Sequence, residues 1–169
     1  MQNNDYLLIA LKFIVLVFTQ VLLLNHVDFL GYINPYLYIL FILTFPFNAN
    51  KSLVIFLSFL LGLTIDIFGD SGGIHAAACV MIAYLRPFIL KYSFGVSYEY
   101  NTIRINNVDF GQRFIYVISM VFIHHLILFS MEIFNINHLM LILKSTLFSG
   151  IFSIILILSS ISIFRKKDK

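Results

Sequence analysis

Apolar residues fill this chain in runs about as long as a bilayer is thick. Between residues 6 and 24 the only charged side chain is Lys12, and comparable runs recur to the end. A membrane-spanning helix needs about 20 mostly apolar residues, in a range of about 17–25. Of the 169 residues, 60% are hydrophobic and 11% charged, where a soluble domain has about 45–50% and about 25%. One core of this length cannot hide so much apolar surface from water, so the chain is expected to fold in a bilayer.

Division on that rule gives an all-α integral membrane fold of about six transmembrane helices. They cover about residues 6–24, 33–47, 52–68, 73–90, 113–134 and 139–164, in one polytopic domain, 1–169. Asn34-Pro35 opens the second span, since proline suits the first turn of a helix. Gly69-Asp70-Ser71-Gly72 makes a tight turn between the third and fourth. The polar stretch 91–112 is a loop, and partial alternation from Tyr98 to Ile105 permits a short hairpin within it. With six spans, Lys51, Arg86, Lys91, Arg104, Arg113, Arg165, Lys166, Lys167 and Lys169 collect on one side, with Lys12 nearest to it, and Lys144 falls toward the other. The positive-inside rule makes the richer side cytoplasmic, with both termini on it. Asp28, Asp70 and Glu132 then fall on or near the outer face.

The remaining composition excludes several classes. A net charge of +3 without a basic run interleaved with aromatics does not fit a nucleic-acid binder. A single cysteine, Cys79, leaves no internal disulfide and no multi-cysteine metal site. Met1-Gln2-Asn3-Asn4-Asp5 is not a basic leader, and the first run is expected to be a retained span. With 19 Phe, 9 Tyr and no Trp, tyrosine must supply any aromatic belt. No phosphate loop, dinucleotide fingerprint, nucleophile elbow or HExxH pair occurs, so no catalytic residue, metal ligand or cofactor is expected.

A few polar and small residues stand out within the spans. Asp66 lies near the outer end of the third span, where an ionisable group is costly unless it faces protein or water. It is either a partner-binding or helix-locking carboxylate, or a hydrated interfacial one. His75 lies close enough to the turn to hydrogen-bond it. Gly72 and Ala76 are four apart, as are Gly73 and Ala77, and Ala83 extends this small face. Such spacing lets helix backbones approach in lipid, either between the third and fourth spans or against a partner. Arg86-Pro87 should end or kink the fourth span, with Arg86 reaching lipid phosphates. His124 and His125, adjacent on one helix, point about 100° apart, so they cannot easily share a metal, and buried hydrogen bonding to another span fits them better than a proton relay. Glu132 and Lys144 flank the last outer turn and could pair. Ser145, Ser149 and Ser153, with Gly150 alongside, form a packing stripe.

Three stretches carry a family resemblance: Gly62-Leu63-Thr64-Ile65-Asp66-Ile67-Phe68, Gly72-Gly73-Ile74-His75-Ala76-Ala77-Ala78 and Ala83-Tyr84-Leu85-Arg86-Pro87. Together they resemble the rod shape-determining protein MreD family. The chain's size, its Asn34-Pro35 and its basic C-terminus are similar as well. The resemblance implies a multi-pass protein of the bacterial inner membrane, with the six-helix fold of the substrate-binding S components of vitamin transporters. It implies a non-enzymatic role in the elongation machinery that directs peptidoglycan synthesis. Implied partners are MreC, RodA with its class B penicillin-binding protein, indirectly MreB, and membrane lipids. Gly62, Asp66, Gly72, Gly73, His75, Ala76, Ala77 and Arg86 are signature positions and candidates for partner binding or helix packing.

Two other classes compete. An S component of a vitamin transporter should show an alanine-rich first span for docking its coupling subunit, whereas Ile9-Ala10-Leu11-Lys12-Phe13-Ile14 holds one Ala. A membrane enzyme acting on a lipid-linked substrate should gather polar residues, and here they are scattered.

Overall fold

The structure, a computed structural model, describes residues 3–27, 29–31, 33–95, 105 and 108–163. Its long helices are α1 (Asn3–Leu22), α3 (Lys51–Gly69), α4 (Ile74–Phe94), α5 (Phe110–Ile133) and α6 (Leu139–Ile163), and a six-residue helix α2 (Ile39–Thr44) lies between the first two. Among the described residues, five helices are long and apolar enough to cross a membrane. The chain is therefore an all-α, multi-pass membrane protein.

Helix boundaries follow local chemistry. The Asn50 side chain caps α3 by accepting from the Ser52 N–H at 2.9 Å, and Asp109 caps α5 by accepting from Gly111 N–H at 2.9 Å. α3 and α5 end on left-handed residues, Asp70 and Phe134, and α4 on Gly95, also at positive φ. Of the two outcomes expected at Pro87, an end or a kink, the end does not occur: the helix continues to Phe94. Arg86 and Leu90, on either side of it, are buried against the bundle, and that packing holds the helix through the missing N–H. The connection after α4 therefore starts at Gly95 rather than at Lys91. The hairpin expected from Tyr98 lies outside the described residues, except for Ile105, which is buried. Asp28, Arg104 and the basic end 164–169 lie outside them too.

The expected second span, 33–47, is not a spanning helix. Between Pro35 and Pro46 only ten residues can take helical geometry, about 15 Å at 1.5 Å each, against a hydrocarbon thickness of about 30 Å. A residue before proline is pushed out of the α region, and Phe45 before Pro46 is accordingly extended at ψ 144°. The segment solves the length problem by staying irregular over 33–38, where each residue can advance roughly 3.3 Å, and coiling only over α2. It begins at the end of the bundle where Asn25 lies beside Gly69 and finishes at the start of α3, so it runs the length of that helix. Tyr38, Ile39, Ile42 and Leu43 are completely buried.

Around this segment α3, α4, α5 and α6 pack as successive neighbours, and α1 lies against α3 and α2. α1 and α6 turn many large side chains outward, among them Leu7, Leu11, Phe18, Leu147, Phe152 and Ile155. A bilayer solvates such a surface and water does not.

Candidate functional site: a polar lattice around an interrupted segment

Inside a bilayer, every backbone N–H and C=O that is not in a helix needs a partner from the protein. Residues 33–38, 45–46 and the last turn of α2 have such groups, and side chains from four helices meet them. Gln20 on α1 accepts from the Leu37 N–H at 2.8 Å and donates to the Pro35 carbonyl at 3.1 Å. Ser149 and Ser153 on α6 accept from the N–H groups of Asn34 (3.1 Å) and Tyr36 (2.8 Å). At the other end Arg86 on α4 donates to the Phe45 and Pro46 carbonyls, and from Nε to the Tyr116 hydroxyl at 3.1 Å. Tyr116 on α5 donates in turn to the Leu43 carbonyl at 3.4 Å.

Three histidines complete the middle of this lattice. The Tyr38 hydroxyl lies 2.7 Å from His75 Nδ1 and 2.9 Å from His124 Nε2. A phenol has one proton to give, so one ring receives it and the other donates N–H to the phenol oxygen. His125 Nδ1 faces the Val121 carbonyl at 2.9 Å and must carry its proton there. Its Nε2 is then free to accept from the Ser153 hydroxyl at 3.1 Å. Ser153 therefore joins the Tyr36 backbone to His125 in one directed chain. His124 Nδ1 is buried without a partner.

The α3–α4 hairpin is locked separately. Asp66, 5% exposed, accepts from the N–H of His75 at 3.0 Å, the N–H of Ala76 at 2.8 Å and the Ser71 hydroxyl. It caps the first turn of α4 from the preceding helix, where a carboxylate also meets the positive end of the helix dipole. Of the readings open at Asp66, the helix-locking one is what the structure shows. His75 does bond it, through the backbone while its ring turns to Tyr38. A Cβ on Gly62 would sit 2.5 Å from both Ala76 Cα and the His75 carbonyl oxygen. Gly62 and Ala76 thus form the close backbone contact of this hairpin.

Gly72 and Gly73 are not part of that contact. They lie in the turn at φ 67° and 95°, with open space where a Cβ would stand, so the turn needs their positive φ rather than their small size. Ala77 is half-buried, and the fully enclosed positions of α4 near it are Ala78 and Cys79. Of the face that four-residue spacing marked, Ala76 and Ala83 are buried in the bundle, while the two glycines precede α4, which begins at Ile74. Arg86 does not reach outward to lipid: at 3% exposure it is drawn inward by the carbonyls freed at Pro46. Glu132 and Lys144 are exposed and form no ion pair with each other. The Ser145–Ser149–Ser153 stripe is buried as expected, but Ser149 and Ser153 serve the segment's backbone rather than a flat helix contact. Gln20, Tyr38 and Tyr116 carry much of the lattice and were missed by sequence reasoning. The signal was a buried-length problem: a segment bounded by two prolines needs polar partners, and Gln20 is a lone amide in an apolar run.

No family model, curated protein or solved structure matches the chain. The fold and the lattice define it by class: a multi-pass α-helical membrane protein whose interior polar side chains hold an interrupted segment in place.

Proposed function

We propose that this chain is a non-enzymatic integral-membrane component of the bacterial cell-shape machinery. In this reading it sits in the inner membrane with both termini in the cytoplasm. It binds MreC and the RodA–penicillin-binding protein pair, and through them bears on MreB and on where peptidoglycan is made. What supports the reading is the place of the residues that resemble the MreD family. Gly62, Asp66, His75, Ala76 and Arg86 all make the contacts that hold α3, α4 and the interrupted segment together. Polar side chains engaged with the protein's own backbone suit a rigid binding scaffold.

The test is purification of the tagged protein from native membranes in mild detergent, with mass spectrometry of what accompanies it. Enrichment of MreC and the RodA pair is the expected result. Enrichment of an energy-coupling ATPase pair with its transmembrane subunit would overturn the reading and make the chain a transporter S component.

A further inference from the structure

Arg86 presents an electrostatic problem that its contacts do not solve. Its guanidinium is nearly enclosed, and among the described residues every partner it has is neutral: the Tyr116 hydroxyl, the Phe45 and Pro46 carbonyls and, 5.5 Å from its carbon, the Phe47 ring. Buried charges are ordinarily paired with an opposite charge. Among the described residues no carboxylate reaches it. Beside it lies a cavity of about 40 Å³, lined by Phe47, Ala49, Lys51 and Arg86 among others, whose charged lining residues are both cations. One water needs about 10–15 Å³ on the same measure, so a group of several heavy atoms fits. Lys51 and Val54, in the first turn of α3, line the same space, which therefore lies beside the positive end of that helix's dipole.

The geometry points to a binding site for a phosphate group between the 45–49 turn, the start of α3 and α4 near Arg86. Lys51 supplies a flexible cation at the mouth and Arg86 a fixed one inside. The guanidinium keeps N–H groups beyond those given to the carbonyls, and a phosphate oxygen can accept them. The phosphate belongs to an anionic lipid headgroup or to a free phosphate ion, since a basic pocket between transmembrane helices suits either. This site does not depend on the cell-shape reading.

The experiment measures the thermal midpoint of the full-length protein in neutral detergent. Phosphatidylglycerol is compared with diacylglycerol, which lacks the phosphate, and inorganic phosphate with chloride at matched ionic strength. A rise of about 5 °C near 100-fold saturation is expected with phosphatidylglycerol. The same rise with inorganic phosphate identifies the free ion as sufficient, and a rise with the lipid alone identifies the headgroup. Arg86 also holds the 45–46 turn, so the variants avoid it. Lys51→Gln should weaken the apparent affinity about fivefold. Ala49→Glu puts a carboxylate into the cavity and should raise the ligand-free midpoint while abolishing the response. No shift with either phosphate source, or a full response in folded Ala49→Glu protein, would overturn the site.

Discussion

The α3–α4 hairpin and the 33–47 segment are both buried at the centre of the bundle, and they are held by opposite means. The hairpin closes over a turn of four residues, its two helices satisfy their own backbones, and one carboxylate with one glycine completes it. The segment leaves its backbone open and takes partners from α1, α4, α5 and α6. The hairpin is therefore a local unit whose stability rests on two positions. The segment is a distributed one, where each tie is modest and the set is needed. In membranes a side-chain hydrogen bond contributes only about 0.6 kcal/mol on average, up to about 2, so no single tie should dominate.

Substitutions can break this contrast. The largest effect should come from Gly62→Leu, because the new side chain meets backbone that cannot rotate away. We expect about 3 kcal/mol or more, seen as failure to elute as a monodisperse species. Asp66→Ala should follow at about 3 kcal/mol, since three donors lose their acceptor at once; the shift in the SDS-unfolding midpoint measures it. In the segment, Gln20→Leu leaves the Leu37 N–H and Pro35 carbonyl unmet and should lower the same midpoint by about 2 kcal/mol. Ser153→Ala should cost about 1 kcal/mol. Gly72→Ala should cost as little, about 1 kcal/mol, from positive φ alone. A loss at Ser153 as large as at Asp66 would mean that the segment is held at one point after all. A loss at Gly72 equal to that at Gly62 would mean that the turn, and not the helix contact, governs the hairpin.

The same contrast explains what could be read in advance. Five of the six apolar runs became helices because a run of about 20 apolar residues has no other way to satisfy its backbone in lipid. The hairpin residues Gly62 and Asp66 were legible because they lie within about fifteen residues of the groups they meet. The segment was not, since Ser149 and Ser153 meet backbone more than a hundred positions away, and no periodicity encodes that pairing. Arg86 misled for the same reason: its partners are carbonyls whose exposure depends on Pro46, far from it in sequence. Gly72 and Gly73 were assigned to a packing face because spacing alone does not say where a helix begins.

The interrupted segment also imposes an order on biogenesis. Residues 33–47 emerge from the ribosome before α3, yet the two hydroxyls that receive their N–H groups belong to α6, made much later. Until α6 enters the bilayer, the segment has no complete set of partners there and must wait beside water or at the headgroups. A nascent chain that stops short of Ser153 has five of its six apolar runs and still lacks the means to seat the second. Seating of the second run thus waits on a helix that begins more than ninety residues after it.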